Sequence, residues 1–511
     1  MKKSSKRIIM GVVGTALIAS MASGCGKKSD STSLSYWIEL PGAASAVVAN
    51  LGETPLAKKL QEKTGITVDY QHPPQGQGAE KFNIMMASKN LPDIVAYNWT
   101  KYPGGPEKAI KEGKIIKVNE YIDKYAPRLK EHFANNKEAD RLAKTDSGDY
   151  FSFPFVRGDV ALGINQAMFV RKDWLEELGM QPPETIDEWE AYLTALKNKG
   201  VEYPMDINPY PLANGVFTGA YGTTWDFYVE DGKVKYGPYE ESFKQAVLKL
   251  NDWYNKKLIN PDFAALDDAA KNSDLINGKT GAVFGSCGGS LGNWLKAKTD
   301  DKFDLVGVKY PVLNKGDVPK FNSAQLTVQT SFNAITTSCK NPDVAAQYLA
   351  YGYSEEGEML YNFGIEGESY EMVGDYPTYT DNITKNSEGF AMSNMLAQYT
   401  MSYWAGPFIQ DKRYYEQYAG LPQQQQAWET ASVFDGVVRR VPYLYYSAEE
   451  SSELVKKQTA LVDHVQEEVC KFIVGLRPME EYDKYIEELK ELKVEEILKS
   501  QQAAYDRYLQ R

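Results

Sequence analysis

The stretch LSYWIELPGAASAVVANLGETPLAKKLQEKTGITVDY, residues 34–70, holds the pattern that determines the fold class. Leu34–Ile38 and Ile66–Tyr70 are short segments with the apolar or alternating character of strands. Between them, Thr54-Pro55 is typical of a helix start and Gly65 of a helix end. The stretch therefore predicts a strand, a helix and a second strand.

The same alternation continues beyond this stretch. A helix is predicted near Ala79–Ser88, and Pro92–Tyr97 forms a third predicted strand. Strands that alternate with helices favour parallel β-α-β units, whose ligands bind at the carboxyl ends of the strands. The second half of the chain is helix-rich, with predicted helices at Ile186–Asn198, Tyr239–Lys257 and Asp343–Tyr351 and long helices from residue 447 onward.

The N-terminus has the features of a targeting segment. Four positive side chains within residues 2–7 precede the apolar run Ile8–Ala22, which is shorter than the ~18–20 residues of a membrane-spanning helix. Small residues lead into Cys25, and a polar segment follows it. This arrangement resembles a bacterial lipoprotein signal, although Ala22 stands where Leu is usual. We expect a signal peptide at 1–24, a lipid on Cys25 and a flexible tether at 25–33; an ordinary signal peptide without a lipid is the alternative.

Charge and rare residues exclude several classes of protein. The chain has a net charge of −12, and residues 1–24 carry four positive and no negative side chains, so the remainder carries −16. That charge argues against nucleic acid as a partner, but an acidic ligand held by a few Arg or Lys side chains stays possible. Only three His residues are present, and Cys287, Cys339 and Cys470 show no zinc spacing, so we expect no metal site and free, buried thiols.

Several segments together resemble the family 1 extracellular solute-binding proteins, the capture subunits of carbohydrate ABC importers. The likeness covers essentially all of the chain after residue 33, and its order and spacing are more specific than any one motif. The segments that carry it are the Trp37 strand, Leu56–Gly65, Ile66–Val68, Leu91–Val95, Phe169–Leu175, Pro183–Trp189, Asn277–Val283 with Trp294, Tyr361–Gly367 and Ala503–Tyr508.

The resemblance implies a two-lobed, periplasmic-binding-protein-like α/β fold of type II, with a hinge between the lobes. We place the N-lobe at 34–155 plus 311–375 and a helix-rich C-lobe at 156–310 plus 376–511. The resemblance also implies a monomer without a cofactor. Alginate-binding relatives carry a calcium loop where this chain has only Lys197–Tyr203, which lacks alternating oxygen ligands. We therefore expect no calcium there, and alginate becomes a less favoured ligand.

The candidate ligand-binding residues are aromatic platforms and planar polar groups near predicted strand ends or in irregular sequence. Packing inside the protein is the alternative for each tryptophan, a hinge salt bridge for Arg157, and surface capping for Glu366. The family places an aromatic ligand contact in the region of Trp294. The candidates are Trp37, Glu39, Asn98, Trp99, Arg157, Trp225, Ser286, Trp294, Glu366, Tyr403 and Trp404.

The function that the resemblance implies is capture of an oligosaccharide at the outer face of the bacterial cell membrane. The protein would deliver the sugar to ABC permease subunits and would not be an enzyme. A tethered glycoside hydrolase or lyase, a binding protein for a peptide or another solute, and an adhesin are the alternatives. The sequence contains no GxSxG or HExxH motif, and Ser273 occupies the position where a P-loop requires its first Gly.

Overall fold

The computed structural model describes residues 33–402, 404–446 and 448–511, with the backbone alone for 448–452. The predicted signal peptide, Cys25 and Tyr403 lie outside these ranges. Across the ranges, no helix has both the length and the apolar character needed to span a membrane.

Fourteen strands are present in the described residues, and they form two larger sheets and two hairpins. The strands are β1 Ser33–Trp37, β2 Thr67–Gln71, β3 Ile94–Tyr97, β4 Phe153–Arg157, β5 Gln166–Arg171, β6 Tyr203–Asp206, β7 Phe227–Glu230, β8 Lys233–Tyr236, β9 Thr280–Ser286, β10 Leu305–Val308, β11 Val328–Ile335, β12 Tyr370–Val373, β13 Tyr376–Tyr379 and β14 Ile409–Gln410.

The first sheet has the order β14-β4-β11-β3-β1-β2. β1 pairs in parallel with both β2 and β3, which confirms the predicted β-α-β units. β11 runs antiparallel between β3 and β4, with Phe332 opposite both Tyr97 and Pro154. In the chain, β11 comes after all four strands of the second sheet. The local sequence pattern near the N-terminus therefore does not predict this central strand.

The second sheet has the order β10-β5-β9-β6 and belongs to the second lobe. β9 is antiparallel to β5 and parallel to β6. Residues 158–165 join β4 to β5, and residues 309–327 join β10 to β11, so the chain passes between the lobes at least twice. β14 belongs to the first sheet, although the predicted division assigns 376–511 to the C-lobe; the boundaries of that division remain a prediction.

The helices cover the sheets and form most of the second lobe. They are Gly42–Ser45, Pro55–Thr64, Gly78–Ala87, Gly105–Lys111, Asn119–Tyr125, Pro127–Asn135, Lys137–Leu142, Lys172–Leu178, Ile186–Lys199, Pro209–Ala213, Glu241–Asn255, Asp268–Ile276, Gly289–Ala297, Pro342–Tyr351, Glu355–Phe363, Asp381–Thr384, Met392–Tyr399, Lys412–Tyr418, Pro422–Ala431, Ala448–Ile473, Tyr482–Glu491 and Val494–Tyr508.

Local signals account for the helix ends where they were predicted. The Thr54 hydroxyl accepts a hydrogen bond from the Ala57 N–H at 3.1 Å, and Gly65 ends the same helix in a left-handed conformation with φ of 70°. Thr185 and Glu188 form a reciprocal capping box at the start of Ile186–Lys199. These helices therefore begin and end where the sequence predicts, to within one residue.

Each lobe has its own apolar core. Ile94 and Phe153 lie in the core of the first sheet, and Trp189 and Trp253 lie in the core beside the second. The C-terminal helix spans both, because Val494 packs into the second core and Tyr508 into the first. The three thiols form no disulfide; Cys287 and Cys470 are buried as predicted, and Cys339 is half-buried.

Candidate functional site

The candidate site is a cavity of about 1100 Å³ between the two lobes. It lies beyond the carboxyl end of β3, where the α/β sheet was expected to meet its ligand. The lining residues come from both lobes and from the segments that join them: Thr100–Gly105, Tyr210, Asp226–Phe227, Gln325–Leu326, Gln329–Thr330, Arg440–Tyr446, Val455–Lys456, Gln458 and Gln501.

Aromatic rings from both lobes line this cavity. Tyr210 is 55 % exposed, and its hydroxyl donates to Oε1 of Gln166 at 3.2 Å. Phe227 is stacked on Tyr236 with ring centroids 4.2 Å apart and keeps part of its surface exposed. Such rings offer an apolar face to the C–H side of a sugar, which suits carbohydrate binding.

Tyr443 supplies a further ring from the segment that returns to the first lobe. Its hydroxyl donates to the carbonyl oxygen of Val328 at 2.7 Å, and its ring meets Phe332 edge-on at 5.7 Å. Both contacts are with β11, so the first sheet holds this half-exposed ring in place at the cavity wall.

Arg157, at the end of β4, organises the polar wall. Its guanidinium donates to the Leu162 carbonyl at 2.6 Å and to Oε1 of Gln325 at 2.7 Å. Longer bonds reach Oε1 of Gln410 at 3.3 Å and Oε1 of Gln329 at 3.4 Å. A guanidinium only donates, so the Gln325 amide oxygen faces Arg157 and its NH₂ group remains available to a ligand.

Arg157 thus joins the two segments that connect the lobes, 158–165 and 309–327, to the end of the first sheet. Burial lowers the pKa of its guanidinium from the ordinary value, and no carboxylate is among its partners in the described residues. Within the described residues, Arg157 therefore forms hydrogen bonds to neutral acceptors and not the hinge salt bridge that was its alternative role.

Asn98 acts beside the cavity as a cap. Its Oδ1 accepts from the Thr100 N–H at 3.2 Å and from the Thr100 hydroxyl at 2.6 Å. The cap fixes the turn that follows β3, and Thr100 and Lys101 of that turn line the cavity.

Four of the five predicted tryptophans are buried: Trp37, Trp99, Trp225 and Trp294. Trp99 is fully buried, and its Nε1 donates to the Val95 carbonyl at 3.2 Å. Trp37 packs against Phe82 and Tyr97 with 6 % of its surface exposed. These rings belong to the core of the first lobe in this structure.

Trp294 and Trp225 lie in the second lobe. Trp294 is 2 % exposed, meets Phe169 edge-on at 5.5 Å, and donates from Nε1 to Oδ1 of Asn272 at 2.7 Å. Trp225 is 7 % exposed and borders a smaller recess of about 440 Å³ that it shares with Tyr210. Trp225 is thus next to the main cavity, whereas Trp294 is inside the protein.

The other predicted residues do not line the large cavity. Glu39 is exposed against Gly78, the Ser286 hydroxyl accepts from the Ser290 N–H at 2.7 Å, and Glu366 is exposed in a turn. Trp404 is half-buried against the first core, and its Nε1 has no partner within the described part of the chain.

Sequence reasoning missed Tyr210, Phe227, Arg440 and Tyr443. A signal was present for Tyr443, because VPYLYY at 441–446 is an aromatic run beside a proline in irregular sequence. Tyr403 and Trp404, beside Gly406-Pro407, were predicted from the same kind of sequence, whereas no residue of this run was predicted.

The family model for the bacterial extracellular solute-binding protein matches residues 48–359, more than half of the chain. The chain belongs to this family. The likeness to its members extends well beyond the matched residues, and the two-lobed α/β fold described above is theirs.

Two curated relatives and one solved structure illustrate the likeness of this solute-binding protein. Lipoprotein LipO of Bacillus subtilis is 25% identical over 413 residues, 76% of this chain and 78% of that protein. The fructooligosaccharide ABC transporter substrate-binding protein FusA of Streptococcus pneumoniae serotype 4 is 23% identical, covering 97% of each chain. The structure of an HMO-binding ABC-transporter-associated solute-binding protein from Bifidobacterium longum infantis superposes with a TM-score of 0.76 at 21% identity, covering 94% of this chain and 99% of that one.

Proposed function

We propose that this solute-binding protein captures an oligosaccharide in the cavity between its lobes and delivers it to the membrane permease of an ABC importer. The observation that carries the proposal is the cavity itself, of about 1100 Å³, with aromatic rings and amide side chains from both lobes on its walls. That volume is slightly above the roughly 300–1,000 Å³ of sites for drug-sized ligands, so it has room for a ligand of several rings. The named substrates of FusA and of the Bifidobacterium protein are consistent with a sugar.

The proposed mechanism is a hinge cycle. Tyr210 and Phe227 lie in the second lobe, and Thr100 and Tyr443 lie on the wall of the first. A ligand that contacts both walls favours the closed form by its difference in affinity between the two forms. Arg157, which ties the connecting segments together, marks the axis about which the lobes would close.

We further propose that Cys25 is lipidated and anchors the protein at the outer face of the cell membrane, where it acts as a monomer. The apolar run before Cys25 and the polar sequence after it support this. Replacement of Cys25 by Ser should release the protein into the medium, which cell fractionation and immunoblotting would detect. Retention in the membrane fraction would contradict lipidation.

A ligand screen tests the main proposal. Residues 26–511 contain every described residue and would be screened by thermal shift against neutral and acidic oligosaccharides, with calorimetry for each hit. A ligand that binds only the folded state raises the midpoint of unfolding. A sugar recovered intact supports a binding protein, whereas a cleaved sugar favours the tethered hydrolase. Stabilisation by peptides alone would favour a peptide-binding protein.

The variant Tyr210→Ala tests the location of the site. Because this ring is exposed and forms one weak hydrogen bond, its loss should leave the thermal midpoint nearly unchanged. Affinity for the sugar should fall by about tenfold, the effect of about 1.4 kcal/mol. Phe390→Ala is the matched control, since Phe390 is 38 % exposed and does not line the cavity. Equal affinity in the two variants would place the ligand elsewhere.

A further inference from the structure

Arg439 and Arg440 are neighbours in the chain, but only Arg440 lines the cavity, and the two differ in how their charge is compensated. Arg439 holds Asp435 in a bidentate ion pair, with Nη1–Oδ1 at 2.9 Å and Nη2–Oδ2 at 2.7 Å. Arg440 instead donates from Nε to the Ala324 carbonyl at 3.2 Å and from Nη2 to Oδ1 of Asn214 at 3.0 Å. No ion pair of Arg440 exists within the described residues, although its side chain is exposed to the cavity.

The hydrogen bonds of Arg440 fix its position without neutralising it. Nε and Nη2 are occupied by neutral acceptors, and the backbone of Arg440 bridges to Tyr228. Nη1 makes no hydrogen bond to any described residue and is the donor left for a ligand. A guanidinium that is held in place and unpaired is preorganised for an anion, because little entropy is lost when the anion binds.

Most of the other charged side chains that line the cavity are also positive. Lys101 and Lys456 accompany Arg440 on the walls, and Asp226 is the one acidic side chain among the described lining residues. Asp226 forms no ion pair with Arg440 within the described residues, and burial raises the pKa of its carboxyl although the charge of Arg440 opposes that shift. Lys101 has no ion pair within those residues, and Nζ of Lys456 lies 3.3 Å from Oε1 of Glu453 in an exposed pair. The cavity therefore carries net positive charge in a chain whose total is −12.

A second unpaired guanidinium lies behind the polar wall. Arg157 bonds only to a carbonyl and to glutamine oxygens in the described residues, and two of those glutamines, Gln325 and Gln329, line the cavity. A half-buried cation without a counter-charge is costly, and an anion that enters the cavity lowers that cost.

We propose that the ligand is an acidic oligosaccharide, and that a carboxylate on it is bound by Arg440 with the support of Lys101. The inference rests on the proposed function and specifies its substrate class. A carboxylate matches the planar fork of an arginine, and the aromatic rings of Tyr210 and Phe227 are placed to contact the uncharged faces of the sugar units. Neutral sugars would leave the positive charges of the cavity without a partner.

The test is a competition between matched acidic and neutral sugars. Residues 26–511 would be incubated with an equal mixture of hydrolysates of pectin, alginate, glucuronoxylan, fructan, mannan and starch, and retained sugars would be identified by mass spectrometry. We expect retention of uronic-acid-containing oligosaccharides. Their methyl esters, which lack the charge but keep the ring, should bind at least about tenfold more weakly by calorimetry.

Variants at the two arginines localise the effect. Arg440→Gln should weaken binding of the acidic sugar by about tenfold or more, and Arg440→Lys should give an intermediate loss because the charge remains and the fork is absent. Arg439→Gln is the matched control and should leave the affinity unchanged, since Asp435 already neutralises Arg439. Thermal unfolding and circular dichroism would verify that each variant is folded.

The outcomes separate the inference from the proposed function. Retention of neutral sugars alone, or acidic binding that Arg440→Gln and Arg440→Lys leave unchanged, would overturn the inference and leave an oligosaccharide-binding protein. Retention of no sugar would contradict the proposed function, and the inference would fall with it.

Discussion

The ends of the central strands and the segment 440–446 both carry aromatic side chains close to the space between the lobes, but these side chains differ in their exposure to the cavity. Trp37 and Trp99, at or after strand ends, are buried under Phe82 and Tyr97 and their neighbours. Tyr443, in irregular backbone, keeps part of its ring exposed to the cavity. The strand-end rings belong to a core, and the Tyr443 ring forms part of the cavity wall.

The difference follows from what packs against each segment. The helix Gly78–Ala87 lies over the end of β1 and covers Trp37 through Phe82. Tyr443 has β11 on one side and the cavity on the other, so its ring is supported on one face only. Tyr445 of the same segment is 4 % exposed and lies under the guanidinium of Arg511, so it is a core ring. A position at the carboxyl edge of a sheet is therefore insufficient for ligand contact; a ring must also lack a helix above it.

The largest expected effect is at Trp99. Trp99→Ala removes a fully buried ring and its hydrogen bond to Val95, and should destabilise the protein by about 3–5 kcal/mol. Chemical denaturation of the variant beside the wild type would measure this change. Unchanged stability of Trp99→Ala together with loss of sugar binding would show that this ring belongs to the binding site and not to the core.

A smaller effect is expected at Asp206, a polar residue at a strand end of the second lobe. Asp206 is fully buried, accepts from Nδ2 of Asn260 at 2.9 Å, and its Oδ2 has no partner among the described residues. Burial raises the pKa of its carboxyl from 3.8 to about 7, with the nearby Asp274 adding to the shift. The folded state therefore holds this proton more tightly than the unfolded state.

The sign of the pH dependence follows from linkage. Stability contributed by protonated Asp206 is present below pH 3.8 and is lost as the pH rises to about 7. Asp206→Asn stays neutral, so at pH 8 it should be more stable than the wild type by on the order of 2 kcal/mol, with little difference near pH 4. Thermal midpoints at the two pH values would measure this, with exposed Asp231→Asn as the control. A lower midpoint at both pH values would refute a protonated Asp206.

The smallest effect is expected at Tyr443. Tyr443→Phe removes the hydrogen bond to Val328 and should cost about 0.5–1.5 kcal/mol of stability, while the ring remains as a platform. Sugar affinity measured by calorimetry should therefore change little in Tyr443→Phe and fall in Tyr443→Ala. A similar loss in both variants would show that the hydroxyl, rather than the ring face, contacts the ligand.

Much of the first lobe was predictable, and the candidate site was predictable only in part. Arg157 and Asn98 were selected from sequence and lie beside the cavity, one behind its polar wall and one as the cap before Thr100. The sequence does not single out Tyr210 or Phe227, because the chain has 35 Tyr and 19 Phe. Their exposure depends on residues that are distant in sequence.

The sequence by itself determined the β-α-β pattern and the helix cap at Thr54, because these depend on residues within a turn or a strand of one another. It also determined the family, through the order and spacing of segments along the chain. Only the tertiary structure decided that β11 inserts between β3 and β4 and which rings stay exposed. It also decided that Arg440 donates to Ala324 and Asn214 and forms no ion pair within the described residues. Burial and the partners of Arg440 depend on residues from remote parts of the chain, so a local sequence pattern does not predict them.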